Sequence, residues 1–136
     1  MIKFPRRPVQ AVILLPPGLP AMSLNDREHW APRNEKTQAL RSAAGWLARS
    51  KRLPKDLPHA WVGLVYRAKD RRARDGDNLV AMMKPLADGL TDYGLVPDDN
   101  YKYMTKIMPV IIPPGETSWR SVPAGAYALV IMWNGE

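Results

Sequence analysis

The sequence predicts an α+β fold, a mixed β-sheet carrying two main helices in the order β-α-β-α-β-β. Three observations lead there. Short apolar runs, several of them rich in β-branched residues, stand at residues 10–15, 60–68, 101–112 and 126–133, as strands do. Two longer stretches, from residue 34 to 49 and from 78 onward to Gly94, space their apolar residues three or four apart, as helices do. The 14 prolines, about double ordinary usage, punctuate the joints between these elements and predict sharp boundaries.

Taken in order, the first strand at 10–15 is stopped by Pro16-Pro17-Gly18. The polar stretch 17–33 is too long for a plain connection, which marks it as mobile or functional. In the first helix Thr37, Leu40, Ala44 and Leu47 form one stripe; Asn34 is the expected N-cap, and Arg49, Lys51 and Arg52 suit the negative end of the dipole. A basic loop bounded by prolines (51–58) leads into the strand 60–68. That strand alternates Trp61, Gly63, Val65 and Arg67 on one face with Val62, Leu64 and Tyr66 on the other. In the second helix Leu79, Met82, Met83, Leu86 and Leu90 make the apolar stripe, and Pro85 inside it predicts a kink or a break into two. Two last strands flank a Pro/Gly loop at 113–123. There is no internal repeat, so residues 1–136 read as one domain.

Composition removes several chemistries. Without cysteine there is no disulfide scaffold, no thiol nucleophile and no thiolate-ligated metal. Two histidines 30 residues apart, His29 and His59, argue against a histidine-rich metal site. No segment reaches the roughly 18 apolar residues of a membrane span, and the first apolar run is too short for a secretory signal. The expectation is a cytoplasmic protein with no membrane partner.

Charge is more informative when located. The chain carries a net +7 overall, yet between Asp70 and Asp99 seven aspartates outnumber four bases, net −3. The remainder is +10. A basic body attracts a polyanion. The acidic island inside it needs its own reason.

Asp75 and Asp77 flank Gly76, and in an extended segment residues two apart aim their side chains at one point, roughly 7 Å apart at Cα. Two carboxylates that close repel without a cation, and Mg²⁺ takes one or two carboxylates with waters and a phosphate. Asp77 as the N-cap of the second helix is the plain alternative. Asp98-Asp99 form a second acidic pair, equally readable as a turn. Lys84 and Asp88 lie seven and eleven residues past Asp77, on one face of a continuous helix; Lys84 either reaches a phosphate at the aspartates or pairs with Asp88 in the i,i+4 sense. Arg67, Lys69, Arg71, Arg72 and Arg74 run directly into Asp75, as phosphate contacts or as a solvated edge that blocks strand pairing.

This ordered set resembles the RusA family of Holliday-junction resolvases of phages and prophages. The resemblance rests on Arg71-Arg72-Ala73-Arg74-Asp75-Gly76-Asp77-Asn78-Leu79, on Lys84-Pro85-Leu86-Ala87-Asp88-Gly89-Leu90, and on Gly94 followed by Asp98-Asp99. The early Pro16-Pro17 and Ser23-Leu24-Asn25 also look like that family's N-terminal strand and loop, so the resemblance covers nearly the whole chain. It implies a RusA-like homodimer that nicks opposing strands of four-way DNA junctions with Mg²⁺, Mn²⁺ substituting, in recombination, repair or phage DNA processing. The ligands it implies are Asp75, Asp77 and Asp99, and the catalytic lysine is Lys84; Asn78, Asp88 and Asp98 are candidates to support them, with a purely structural role for Asp88 and Asp98 left open. Here Lys84 follows the second aspartate by seven residues, where shorter members have four. Two rival readings stay open: a non-catalytic binder of branched or single-stranded DNA, and a Mg²⁺-dependent phosphohydrolase of small nucleotides. The second is weakened by the lack of a glycine-rich phosphate loop.

Overall fold

The computed structural model describes residues 8–17, 30–70, 79–117, 119 and 121–135. Its elements are β1 (Pro8–Leu14), α1 (Trp30–Ser50), β2 (Ala60–Arg67), α2 (Val80–Tyr93), β3 (Met104–Lys106), β4 (Val110–Ile112) and β5 (Tyr127–Asn134). The fold is the expected α+β domain with two helices and a mixed sheet.

The sheet runs β1-β5-β2, with β3 and β4 both on the far edge of β2. β5 is antiparallel to both neighbours, pairing Val12 with Val130 on one side and Gly63 with Val130 on the other. β3 and β4 run parallel to β2, because the chain returns from β2 through α2 before it pairs again. The stretch 101–112, expected as one strand, is therefore two short ones. Tyr103 and Met104 donate their N–H groups to Asn100 O in a turn, and Pro109 has no N–H to continue the ladder; Ile107 bridges the interval with a bond to Val62 O.

β2 is buried along its whole length because both faces are covered. Ala60, Val62, Leu64 and Tyr66 face the main core with Leu129 and Ile131 of β5, Leu40, Ala44 and Ala48 of α1, and Met82, Leu86 and Leu90 of α2. Val65 faces the other way, into a smaller cluster with Ile112, Val122, Ala128 and Val130. The alternation along β2 and β5 is thus period-two between two cores, not between core and water.

Three boundaries differ from expectation. α1 begins at Trp30, four residues before Asn34, which is helical and no cap; Pro32 falls in the first turn, where its missing N–H has no intrahelical partner to lose. α2 begins at Val80, later than the expected start at 78, with Leu79 in the N-cap position and no side-chain cap hydrogen bond. Pro85 sits inside α2 without dividing it. The lost bond and ring clash cost about 3 kcal/mol. Burial of Met82, Met83, Leu86 and Leu90, at about 1.5–3 kcal/mol each, exceeds that. Gly94 closes the helix as expected, with φ 102° and its N–H bonded to Leu90 O and Thr91 O.

Candidate functional site

The closure at Gly94 turns the chain so that the Asp98-Asp99 turn comes back over α2. Leu95 and Val96 are buried and pin that return. Asp98 holds the turn itself: its carboxylate accepts from the Asp99 N–H (2.7 Å) and from Asn100 Nδ2 (3.0 Å), while Asn100 Oδ1 accepts from the Lys102 N–H (2.9 Å). Asp98 is therefore built into the turn, and Asp99 is the one presented.

Lys84 meets Asp99 across this gap. Its ammonium donates to Asp99 Oδ2 at 2.8 Å and to Asp88 Oδ1, one helical turn on, at 3.0 Å. Both readings of Lys84 thus hold together: it makes the i,i+4 pair and also reaches the second acidic pair. Lys106, at the end of β3, approaches the same Asp99 oxygen at 3.5 Å. On the other side Asp88 lies 3.9 Å from Arg41 Nη1, and Arg41 grips Asp92 in a two-bond fork of 2.5 and 2.7 Å. Lys106, Asp99, Lys84, Asp88, Arg41 and Asp92 form a chain of alternating charge from the sheet edge through α2 to α1.

The electrostatics follow from this alternation. The Lys84 ammonium holds the Asp99 carboxyl well below the usual carboxylate range, with Lys106 adding to the effect. In return Asp99 first, then Asp88, hold Lys84 charged above the ordinary lysine value. Asp92 is lowered and Arg41 raised by their mutual hydrogen bonds. The Lys84 side chain is 65% exposed, so its pairs are worth at most about 1 kcal/mol each in water. An arriving phosphate displaces them easily.

Asp75, Asp77, Asn78, Arg71, Arg72 and Arg74 lie outside the described residues. The chain enters their segment at Asp70, just past β2, and leaves it at Leu79, just before α2. Among the described residues no group of three or more His, Asp or Glu side chains is placed to hold a metal ion. Asp99 is a hard oxygen donor, kept ionised and partly open to solvent, the kind of group that Mg²⁺ or Mn²⁺ takes.

Neither a protein-family model nor a curated protein matches this chain.

Of the two described members of the basic run, one does not face a ligand. Arg67 is only 8% exposed, and its guanidinium donates to the carbonyls of Val122 (2.6 Å), Trp119 (2.7 Å) and Glu116 (3.1 Å). The expectation that it contacts DNA is corrected: the last residue of β2 sits on the face covered by the 113–126 loop, and its three bonds hold that loop to the sheet. Lys69 is exposed, with its stem laid over Gly125, where an added Cβ would lie 2.9 Å from Lys69 Cγ. His59 likewise serves the fold: Nδ1–H donates to Lys102 O, leaving Nε2 to accept from the Thr105 hydroxyl.

Sequence reasoning missed Lys106, Arg41 and Trp46. Nothing in the local pattern marks Lys106, because only the pairing of β3 with β2 brings it to Asp99. Trp46 did carry a signal. It lies about 200° round α1 from Ala44, off the buried stripe, and is 70% exposed.

Proposed function

We propose that this protein is a metal-dependent endonuclease of the RusA type, a cytoplasmic homodimer that resolves four-way DNA junctions. The observation that carries the reading is the meeting of Lys84 with Asp99. These residues lie 15 apart in the chain, were singled out for one site, and share a 2.8 Å contact at the surface.

In this reading Asp75, Asp77 and Asp99 would hold Mg²⁺ or Mn²⁺. The ion, when bound, supplies Lewis-acid polarisation of the phosphate and acidifies the attacking water. The chain's own residues do the rest. Asp99, kept anionic by two lysines, is ready as a ligand without first losing a proton. Lys84 is aimed by Asp99 and Asp88 and stabilises charge that develops on the phosphate or the leaving oxygen. Asp88 is the second carboxylate that keeps that ammonium at the site. Lys69, Arg71, Arg72 and Arg74 hold neighbouring phosphates, and the shape of the dimer, not base contacts, selects a branched substrate.

The test is nicking of a synthetic four-way junction in Mg²⁺ by wild type, Asp99→Asn, Asp77→Asn and Lys84→Met. Each variant should lose at least about 100-fold in cleavage rate. The aspartate variants should bind the junction as well as wild type or more tightly, having lost charge that faces phosphate. Wild-type cleavage by Asp77→Asn and Asp99→Asn would falsify the metal site. Tight, salt-sensitive binding with no cleavage by any form selects the DNA-binder reading instead.

A further inference from the structure

The most exposed tryptophan among the described residues stands beside this site, and the mechanism does not use it. Trp46, 70% exposed on α1, lines a surface cleft of about 260 Å³ with Arg41, Gly45, Arg49, Asp92 and Tyr93. A tryptophan left in water gains nothing for the fold. The cleft is cationic where it is open. Arg49 is exposed and makes no ion pair among the described residues, whereas the acid at the cleft, Asp92, is already neutralised by the Arg41 fork. From residue 41 to 56 the chain carries Arg41, Arg49, Lys51, Arg52 and Lys55 against a single acid, Asp56. Tyr93 is held rigid by a bond from its hydroxyl to Leu53 O, with Lys55 over its ring at 4.7 Å.

We propose that this cleft is a second contact for the DNA substrate, in which Trp46 stacks on an unpaired base and Arg49 holds the adjoining phosphate. The proposal rests on the nuclease reading for the identity of the strand. A flat aromatic face beside an exposed cation is what a single strand engages, because every base has a π-face and every linkage a charge. Position argues for the same strand. Arg41 lines the cleft and also lies 3.9 Å from Asp88, which in turn accepts from Lys84. A strand with one phosphate at Lys84 therefore runs on past Arg41 towards Trp46, and a base freed at a branch point is the one available to stack.

The experiment measures DNA binding by the full chain in EDTA, so that cleavage plays no part. Tryptophan fluorescence and anisotropy are recorded with a labelled single strand and with a four-way junction. Wild type should show quenching on binding the single strand; Trp46→Phe should bind nearly as well with the quench reduced. Trp46→Ala and Arg49→Gln should each weaken single-strand binding about 10-fold, with unchanged thermal unfolding. Unchanged affinity in Trp46→Ala overturns the proposal while leaving the nuclease reading intact. A change in sedimentation without a change in DNA affinity also overturns it, because the face then joins two copies of the chain. Quenching and the affinity losses in a protein that cuts nothing would sustain this contact and sink the nuclease.

Discussion

At the scale of single residues, burial separates charges that act on a ligand from charges that act on the fold. In the sequence Arg67 and Lys84 are both cations near an acidic cluster. Arg67 is buried with its donors spent on three carbonyls; Lys84 is exposed with its ammonium on two carboxylates. Arg67→Leu leaves those carbonyls unpaired beneath the 113–126 loop and should destabilise the protein by about 3 kcal/mol, read as a lowered urea midpoint. The acids make a second prediction. Arg41 lowers Asp92, and Lys84 lowers Asp99. A depressed carboxyl stabilises the fold fully above its unfolded value, near 3.8, and that contribution fades as pH falls through the folded value. Asp92→Asn should therefore cost about 0.5 kcal/mol at pH 7. The gap from wild type in urea denaturation should close progressively below pH 3.8.

At the scale of elements, the site depends on how closely α1 and α2 approach. A Cβ built on Gly89 would lie 2.1 Å from Arg41 O and 2.8 Å from Ala44 Cβ, so only glycine lets the two backbones meet there. Gly89→Ala gains about 1 kcal/mol of helix propensity. The overlap with backbone costs more, and the net should be about 2 kcal/mol of destabilisation, measured by thermal or urea unfolding. Because Asp88 and Arg41 adjoin this contact, the same variant should also slow junction cleavage more than its loss of stability explains. Pro85 teaches the complementary lesson. A helix breaker inside α2 is overridden when the residues around it are core, so the helix is not broken in two.

For the whole molecule, the charge pattern is the main functional statement: a basic body around a locally acidic site. With about four phosphates contacted, junction affinity in EDTA should fall on the order of 100-fold between 50 and 200 mM salt. Binding that ignores salt would remove the polyanion partner altogether. No helix among the described residues is long and apolar enough to cross a membrane.

The sequence by itself determined the element order as far as α2, the two helix stripes and the end of α2 at Gly94. Periodicity and glycine and proline stereochemistry are local, and local rules read them. Only the tertiary structure decided that Lys84 reaches Asp99, that Asp98 is spent on its own turn, that Arg67 is a staple and that Lys106 and Arg41 extend the charge chain. Each of those depends on what lies opposite, and opposition is set by strand register and helix packing over separations that no local pattern encodes.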